Sequence, residues 1–133
     1  MANIYLDSCM IIGLIEGDEH QQTLLKTNLF HHRIYSSELA RLETRLLAIR
    51  NDNQLALKQF DKFFNCCEII SLDKTVFEQA THLRATTHLK TPDALHLAAA
   101  LHAQCAQFWT NDKQLISIAN QYVTVIDLTT LQN

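Results

Sequence analysis

Four acidic residues in this sequence occupy positions where an ordinary surface carboxylate is not expected. Each one begins, interrupts or follows an apolar segment of the predicted core; they are Asp7, Glu43, Asp93 and Asp112. A carboxylate beside core residues loses its hydration at a large cost in free energy unless a cation compensates the charge. Because the same placement recurs four times along one chain, we predict that these acids share a bound cation.

The residue types around these acids indicate which cation it would be. The chain has seven histidines and four cysteines, but no Cys-x-x-Cys pair and no histidine at zinc-motif spacing from a cysteine. A structural zinc site is therefore not expected. Cys9, Cys66, Cys67 and Cys105 are expected to be reduced thiols, since the chain is not a small disulfide scaffold. Carboxylates alone form a hard-oxygen site that suits one or two Mg²⁺ or Mn²⁺ ions.

The length and composition predict the setting of this site. The 133 residues are expected to form one domain, 1–133, because they include only one proline and two glycines and leave no room for a linker. No apolar run is long enough to span a bilayer, so we expect a cytoplasmic protein without a membrane partner. The net charge of −3 argues against a protein that coats nucleic acid nonspecifically. It allows an enzyme that binds a phosphodiester through metal ions.

Short apolar strands alternate with helical patterns along the chain. The predicted strands are 4–6, 34–35, 67–72, 107–110 and 122–126; the predicted helices are 9–16, 19–30, 38–51, 54–64, 74–88, 92–106 (with Thr91 as its N-cap) and 113–120. This order predicts a three-layer α/β/α sandwich with a short, mainly parallel central sheet. Asp7 and Asp112 follow predicted strands, and Asp93 lies in the first turn of a helix. Strand carboxyl ends and helix N-termini gather at one edge of such a sheet, so these three acids are expected to converge.

The helix after Ser37 carries two acids, and its periodicity selects one of them. At 100° per residue an apolar arc, taken as the core-facing side, is formed by Leu39, Leu42, Leu46, Leu47 and Ile49. Glu43 falls inside this arc. Glu38 falls on the polar edge with Arg41 and Arg45, where surface ion pairs are expected. Glu43 is therefore the functional candidate, and the two arginines are candidates for contact with phosphate, with a solvated face as the equal alternative.

Each acid, taken alone, has an ordinary structural explanation. Asp73 also follows a strand and precedes a helix, so it resembles Asp112, and helix capping is the commoner role for such a residue. Asp93 beside Pro92 is also a first-turn acid favoured by the helix dipole. The functional interpretation rests on the four together.

Four segments resemble the motifs of PIN-domain nucleases, in particular the VapC-type toxins of bacterial toxin–antitoxin pairs. In order they are Ile4-Tyr5-Leu6-Asp7-Ser8, Ser36-Ser37-Glu38-Leu39-Ala40-Arg41-Leu42-Glu43, Leu89-Lys90-Thr91-Pro92-Asp93-Ala94-Leu95-His96-Leu97-Ala98-Ala99-Ala100 and Trp109-Thr110-Asn111-Asp112. The third is the most specific, and the resemblance extends over about residues 4–126. Cys9 is a departure, because family members often carry Ser or Asn there. This puts the hydrogen bond to the first acid in doubt, or moves it to Ser8.

The resemblance implies a PIN-like fold and metal-dependent hydrolysis of RNA phosphodiesters by an endoribonuclease. It implies that Asp7, Glu43, Asp93 and Asp112 are the catalytic, metal-binding acids, with Asp7 and Asp93 holding the first ion. Thr110 and Asn111 would orient Asp112. The implied partners are RNA, a cognate antitoxin that blocks the acidic site, and a second copy of the chain; the sequence does not identify the RNA.

Two other functions compete with this interpretation. One is a catalytically silent PIN-fold module that binds RNA or a partner, although all four acids are present. The other is an aspartyl-phosphate phosphatase or receiver-like domain, which needs a second acid close to Asp7. The sequence has no such neighbour before Glu16.

Overall fold

A computed structural model describes residues 1–132 of the protein and shows a parallel sheet between two layers of helices. The strands are β1 Asn3–Leu6, β2 Arg33–Ser37, β3 Glu68–Ile70, β4 Gln107–Trp109 and β5 Thr124–Ile126. The helices are α1 Ser8–Glu16, α2 Glu19–Leu29, α3 Glu38–Arg50, α4 Gln54–Asn65, α5 Lys74–Thr86, α6 Thr91–His102, α7 Lys113–Ala119 and α8 Leu128–Gln132. The predicted α/β/α sandwich is confirmed, and every neighbouring pair of strands is parallel.

The order of the strands places a crevice at the centre of the sheet. The order is β3-β2-β1-β4-β5, so the chain adds strands on one side of β1 and then crosses to its other side for β4. Leu6 at the end of β1 pairs with Trp109 at the end of β4. Ligands of open parallel sheets bind at the carboxyl ends of strands where the order reverses in this way. The segments after β1 and β4 begin with Asp7 and Thr110.

Side chains alternate across the sheet and divide the core into two layers. Ile4 and Leu6 pack on one face with residues of α1, α2, α3 and α4, together with Trp109. Tyr5 and Phe108 point to the other face, against α5, α6 and α7. Their rings are stacked, with centroids 5.4 Å apart and planes 7° apart. This alternation places the Tyr5 hydroxyl on the opposite face from the side chains that flank it.

Side-chain oxygens at the N-termini of seven helices accept backbone hydrogen bonds. The capping residues are Asp7, Asp18, Ser37, Asn53, Asp73, Asp112 and Asp127. Such caps satisfy donors that have no partner within the helix. Capping alone therefore does not separate Asp7 and Asp112 from Asp73.

Besides shifts of one or two residues at other element ends, the structure differs from the prediction at α6 and by one additional helix. Thr91 is not the N-cap of α6: Lys90 occupies that position without a side-chain cap, and Thr91 accepts a hydrogen bond of 2.9 Å from Arg84. The same helix ends at His102 and not at 106. The short helix α8 was not predicted, because its five residues are too few for a periodic pattern.

The apolar arc of α3 does not face the core, contrary to the prediction. Leu42, Leu46 and Ile49 are 59%, 40% and 56% exposed, and the buried side chains of this helix are Ala40, Thr44 and Ala48. Because Ala40, Thr44 and Ala48 have small side chains, α3 approaches the neighbouring helices closely on the side that carries them. The leucines on the other side of the helix point outward. The exposed face lines an open cavity of about 420 Å³ together with Glu38, Arg41 and Arg45.

Helices of residues 1–132 are too short or too polar to cross a membrane.

Candidate active site

Asp7 is the most buried of the four acids and has several hydrogen-bond donors around it. The residue is 5% exposed. Its carboxylate accepts a bond of 3.1 Å from the backbone N–H of Met10, and a further bond from the hydroxyl of Thr110. Burial raises the pKa of Asp7, while the hydrogen bonds from Cys9 and Thr110 oppose that rise. The result is an oriented carboxylate held at the end of the central strand.

Thr110 connects Asp7 to the segment that carries Asp112. Its hydroxyl is fully buried; it donates to Asp7 and accepts the backbone N–H of Asp112 at 3.1 Å. Asp112 is exposed and caps α7 through one carboxylate oxygen, which accepts from Gln114 and Leu115 at 3.0 and 3.2 Å. Asp112 therefore has the same capping role as Asp73, but only Asp112 is tied to the buried acid.

Cys9 makes the hydrogen bond that the sequence left in doubt. Its thiol donates to Asp7 Oδ1 at 2.9 Å, and its sulfur accepts the backbone N–H of Asn111 at 3.4 Å. The residue as a whole is exposed, but its sulfur lies against the carboxylate. Desolvation and the charge of Asp7 raise the pKa of this thiol to about 12. Of the two residues that follow Asp7 in sequence, Cys9 and not Ser8 donates a side-chain hydrogen bond to its carboxylate.

Glu43 lies near the middle of α3 and is held by a histidine from α6. Glu43 Oε1 is 2.6 Å from His96 Nε2, and the Glu43 side chain is 30% exposed. His96 is 2% exposed, and its other ring nitrogen is 2.7 Å from the hydroxyl of Tyr5. Glu38, the other acid of α3, instead pairs with Arg41 at 3.6 Å on the surface.

The pKa of Asp93 is affected by the negative charges of the other three acids. Burial raises its pKa, and the negative charges of Asp112, Asp7 and Glu43 raise it further, while His96 opposes the rise. These effects require Asp93 to lie within electrostatic range of the other three carboxylates. Asp93 therefore lies near the segments that carry Asp7, Asp112 and Glu43.

The four acids do not form a complete set of direct ligands for one metal ion. Within residues 1–132, no three His, Cys, Asp or Glu side chains converge closely enough to ligate one ion directly. This arrangement is compatible with Mg²⁺, which commonly takes one or two protein carboxylates and keeps several waters. The donors are also of the right class, because they are hard carboxylate oxygens with uncompensated negative charge. The residues present fit a hydrated Mg²⁺ or Mn²⁺ ion.

The other predicted site residues have other contacts. Asn111 accepts the backbone N–H of Leu128 at 3.0 Å, so its side chain orients the start of α8 and not Asp112. Arg45 pairs with Asp61 of α4 at 2.9 Å. Arg41 and Arg45 both line the exposed cavity on α3. Their guanidinium groups are not among the main charges acting on Asp7 or Asp93.

Two residues near the acids were not singled out from the sequence. Tyr5 and Ser37 are fully buried, and their hydroxyl oxygens are 2.8 Å apart. Tyr5 stands in an apolar strand and Ser37 at a helix start, so each has an ordinary explanation in the sequence. The signal that could have revealed them is a buried histidine, His96, in a helix segment that is otherwise apolar.

Comparison with known proteins agrees with this geometry. Residues 4–121 match the family model of the PIN domain. Ribonuclease VapC46 of Mycobacterium tuberculosis is 33% identical over 100 residues, which cover 75% of each chain. The fold is similar to that of VapBC2 from Rickettsia felis, with a TM-score of 0.74, 16% identity and coverage of 94% of this chain and 98% of that one. It is similar to a toxin–antitoxin complex from Klebsiella pneumoniae, with a TM-score of 0.74, 21% identity and coverage of 92% and 95%. The chain therefore belongs to the PIN-domain family and, within it, to the VapC-type ribonucleases.

Proposed function

We propose that this protein is a Mg²⁺- or Mn²⁺-dependent endoribonuclease that acts as the toxin of a toxin–antitoxin pair. The observation that carries the proposal is the buried carboxylate of Asp7, which Cys9, Met10 and Thr110 orient and which Thr110 ties to the segment of Asp112. A cluster of four carboxylates without a matching cation is costly in a folded protein, and a bound divalent ion removes that cost. Membership among the VapC-type ribonucleases supports RNA as the substrate.

In this proposal Asp7 and Asp93 hold the ion, and Glu43 and Asp112 contribute directly or through water. Asp7 is suited to this role because Met10, Cys9 and Thr110 already orient its carboxylate. When bound, such an ion lowers the pKa of a coordinated water and neutralises charge on the scissile phosphate. The protein's own contribution is to hold the carboxylates in fixed positions before the RNA arrives.

The RNA would approach along the edge of α3 that carries Arg41 and Arg45, beside the exposed apolar side chains that are left to a second copy. Arg41 and Arg45 are partly exposed, and each is paired with an acid, Glu38 or Asp61. Surface ion pairs of this kind contribute little stability and can exchange a carboxylate for a phosphate. We infer that these arginines bind the RNA backbone, which carries no base specificity.

The proposed protein partners are an antitoxin and a second copy of the chain. The antitoxin is supported by the relatives of similar fold, among which the Klebsiella pneumoniae protein is a toxin–antitoxin complex. The second copy is supported by the exposed apolar side chains on α3, since isolated soluble chains rarely expose a contiguous apolar face.

A binding module without catalysis is the second candidate function. The observation that favours it is that no three potential ligands within residues 1–132 converge on one point. Such a module would bind RNA or a partner without cutting it.

An RNA-cleavage assay with Mg²⁺ or Mn²⁺ separates the two candidates. The purified chain, free of antitoxin, is compared with Asp7→Asn and Asp93→Asn, using a mixture of cellular RNAs as the substrate. We expect losses of about a hundredfold or more, because removing one group that stabilises a transition state typically costs 10²–10³ in rate. Asp73→Asn is the control matched to Asp7→Asn, since Asp73 caps α5 as Asp7 caps α1. Cleavage that persists in both variants, or in excess EDTA, contradicts the nuclease proposal.

A further inference from the structure

A chain of buried hydrogen bonds begins and ends on α3, the helix that carries Glu43. The N-terminal donor Ala40 N–H bonds to Ser37 Oγ at 3.3 Å, and Ser37 Oγ lies 2.8 Å from the Tyr5 hydroxyl. Tyr5 lies 2.7 Å from His96 Nδ1, and His96 Nε2 lies 2.6 Å from Glu43 Oε1. The four side chains thus connect β2, β1 and α6 and return to α3.

The carboxylate of Glu43, at the end of this chain of hydrogen bonds, decides which atom donates in the bond to His96. An ionised carboxylate only accepts hydrogen bonds, so His96 Nε2–H is the donor to Glu43. With a neutral ring, Nδ1 is an acceptor, so Tyr5 donates to His96 and Ser37 donates to Tyr5. With a charged ring, Nδ1 donates to Tyr5, and Tyr5 donates to Ser37. In both states His96 is a donor to Glu43, and the Tyr5 hydroxyl both donates and accepts one hydrogen bond.

The donor end of this chain has very little freedom to move. Tyr5 and Ser37 are fully buried and His96 is 2% exposed. The Tyr5 ring is stacked on Phe108 and lies at 62° to the His96 ring, with centroids 5.8 Å apart. Side chains on α6 from Ala94 to Ala100 are all buried, so the helix cannot rotate His96 away without disrupting the core.

Glu43 needs such a partner more than Asp7 and Asp112 do. Asp7 and Asp112 have short side chains at helix N-termini, where backbone N–H groups hold them. Glu43 lies inside a helix, where the backbone N–H groups are used by the helix itself, and its long side chain has three rotatable bonds. Without His96 its carboxylate would sample several rotamers near the site.

We propose that His96, oriented by Tyr5, is a positioning residue that fixes the Glu43 carboxylate for the divalent ion. The inference rests on the proposed nuclease function and assigns a role to residues that do not contact the substrate. His96 acts as a hydrogen-bond donor, so a side chain that keeps this donor in place should replace it. The alternative is a histidine that only fills the core and satisfies Tyr5.

Two substitutions at residue 96 separate the roles of its ring nitrogens. The amide nitrogen of glutamine can occupy the place of Nε2, so His96→Gln keeps a donor for Glu43. The shorter asparagine can reach the place of Nδ1, so His96→Asn keeps a partner for Tyr5 and loses the donor to Glu43. Tyr5→Phe preserves the stacked ring and removes only the hydroxyl that orients His96.

The experiment measures Mn²⁺ binding by isothermal titration calorimetry in the absence of RNA, together with the Tm of the metal-free proteins. We expect His96→Asn to weaken Mn²⁺ binding about 10–100-fold, the usual cost of losing a group that orients a metal ligand. We expect His96→Gln to bind Mn²⁺ nearly as the wild type does, and Tyr5→Phe to lie between them. In RNA cleavage, kcat should fall with Mn²⁺ affinity while KM for RNA stays constant.

The outcomes distinguish this inference from the function on which it rests. If the wild type binds Mn²⁺ and cuts RNA but His96→Asn binds Mn²⁺ equally well, the positioning role is wrong and the nuclease proposal stands. Equal weakening in the glutamine and asparagine variants, in step with their Tm values, likewise leaves only a structural role. If the wild type neither binds Mn²⁺ nor cuts RNA, both proposals are wrong.

Discussion

Thr110 donates its hydroxyl to the carboxylate of Asp7, a contact between residues 103 positions apart in the sequence. The contact joins the ends of β1 and β4, the two strands between which the strand order reverses. Because the same hydroxyl accepts the backbone N–H of Asp112, one buried oxygen orients two of the four acids. The geometry of the site therefore depends on a residue that carries no charge.

Thr110→Val should destabilise the protein and reduce its activity. Valine has the same shape, so the change removes the hydroxyl and leaves the buried carboxylate of Asp7 without one donor. We expect a loss of about 1–3 kcal/mol in the free energy of unfolding, measured by urea denaturation. RNA cleavage should fall about 10–100-fold. Thr81→Val is the control, since Thr81 is exposed and bonds only within α5; equal effects of the two variants would contradict the role of Thr110.

Asp93→Asn should stabilise the metal-free protein at neutral pH. The pKa of Asp93 is raised above its ordinary value of 3.8 by burial and by the neighbouring acids, so the folded state disfavours the ionised form. The free energy of unfolding is therefore lowered in full when the pH is above the pKa that Asp93 has in the folded protein. This loss disappears as the pH falls to the ordinary pKa of 3.8. Thermal denaturation from pH 7 to pH 3.5, with EDTA, should show a higher Tm for the variant that converges with the wild type in acid.

Asp127→Asn should lower the Tm at neutral pH in the same experiment, which is the opposite of the effect expected for Asp93→Asn. Hydrogen bonds from Thr130 lower the pKa of Asp127, so its ionised form is favoured by folding. That stability is present at neutral pH and is lost as the pH falls through the folded pKa. A variant that is as stable as the wild type, or more stable, at pH 7 would contradict this assignment.

The cysteines should differ strongly in their reaction with iodoacetamide. The pKa values of Cys9 and Cys67 are raised from 9.0 to about 12, and that of Cys105 to about 11, mainly because of burial. A pKa near 12 makes the reactive thiolate roughly a thousandfold scarcer at pH 8 than an ordinary thiol. Peptide mass spectrometry should therefore find the exposed Cys66 modified first. Rapid modification of Cys9 would show that its thiol does not lie against Asp7.

Leu46→Glu should dissociate the proposed dimer without unfolding the chain. Leu46 is 40% exposed on α3, so a charge there is tolerated by a monomer but opposed at an apolar interface. Sedimentation equilibrium should show a dimer for the wild type and a monomer for the variant. Phe30→Glu, at a 79% exposed position after α2, is the matched control and should remain dimeric. A wild type that is monomeric at high concentration contradicts the proposed interface.

The sequence alone determined the class of the fold and singled out four acids as the candidate site. Short apolar strands between helical patterns can bury both faces only in a covered parallel sheet, and the sheet is parallel throughout. Topology brings Asp7 and Asp112 to one edge of that sheet, whatever the details of packing. Local patterns suffice here because periodicity and strand ends are properties of consecutive residues.

Only the tertiary structure decided which side of α3 is buried and what holds each acid. Hydrophobic periodicity located the leucine arc correctly but could not show that the small face of Ala40, Thr44 and Ala48 packs inward. The contacts of Cys9 and Thr110 with Asp7, and of His96 with Glu43, join segments that are distant in sequence or depend on side-chain direction. Such contacts follow from the relative placement of whole elements, because a hydrogen bond needs atoms within about 3 Å. No local pattern encodes that distance.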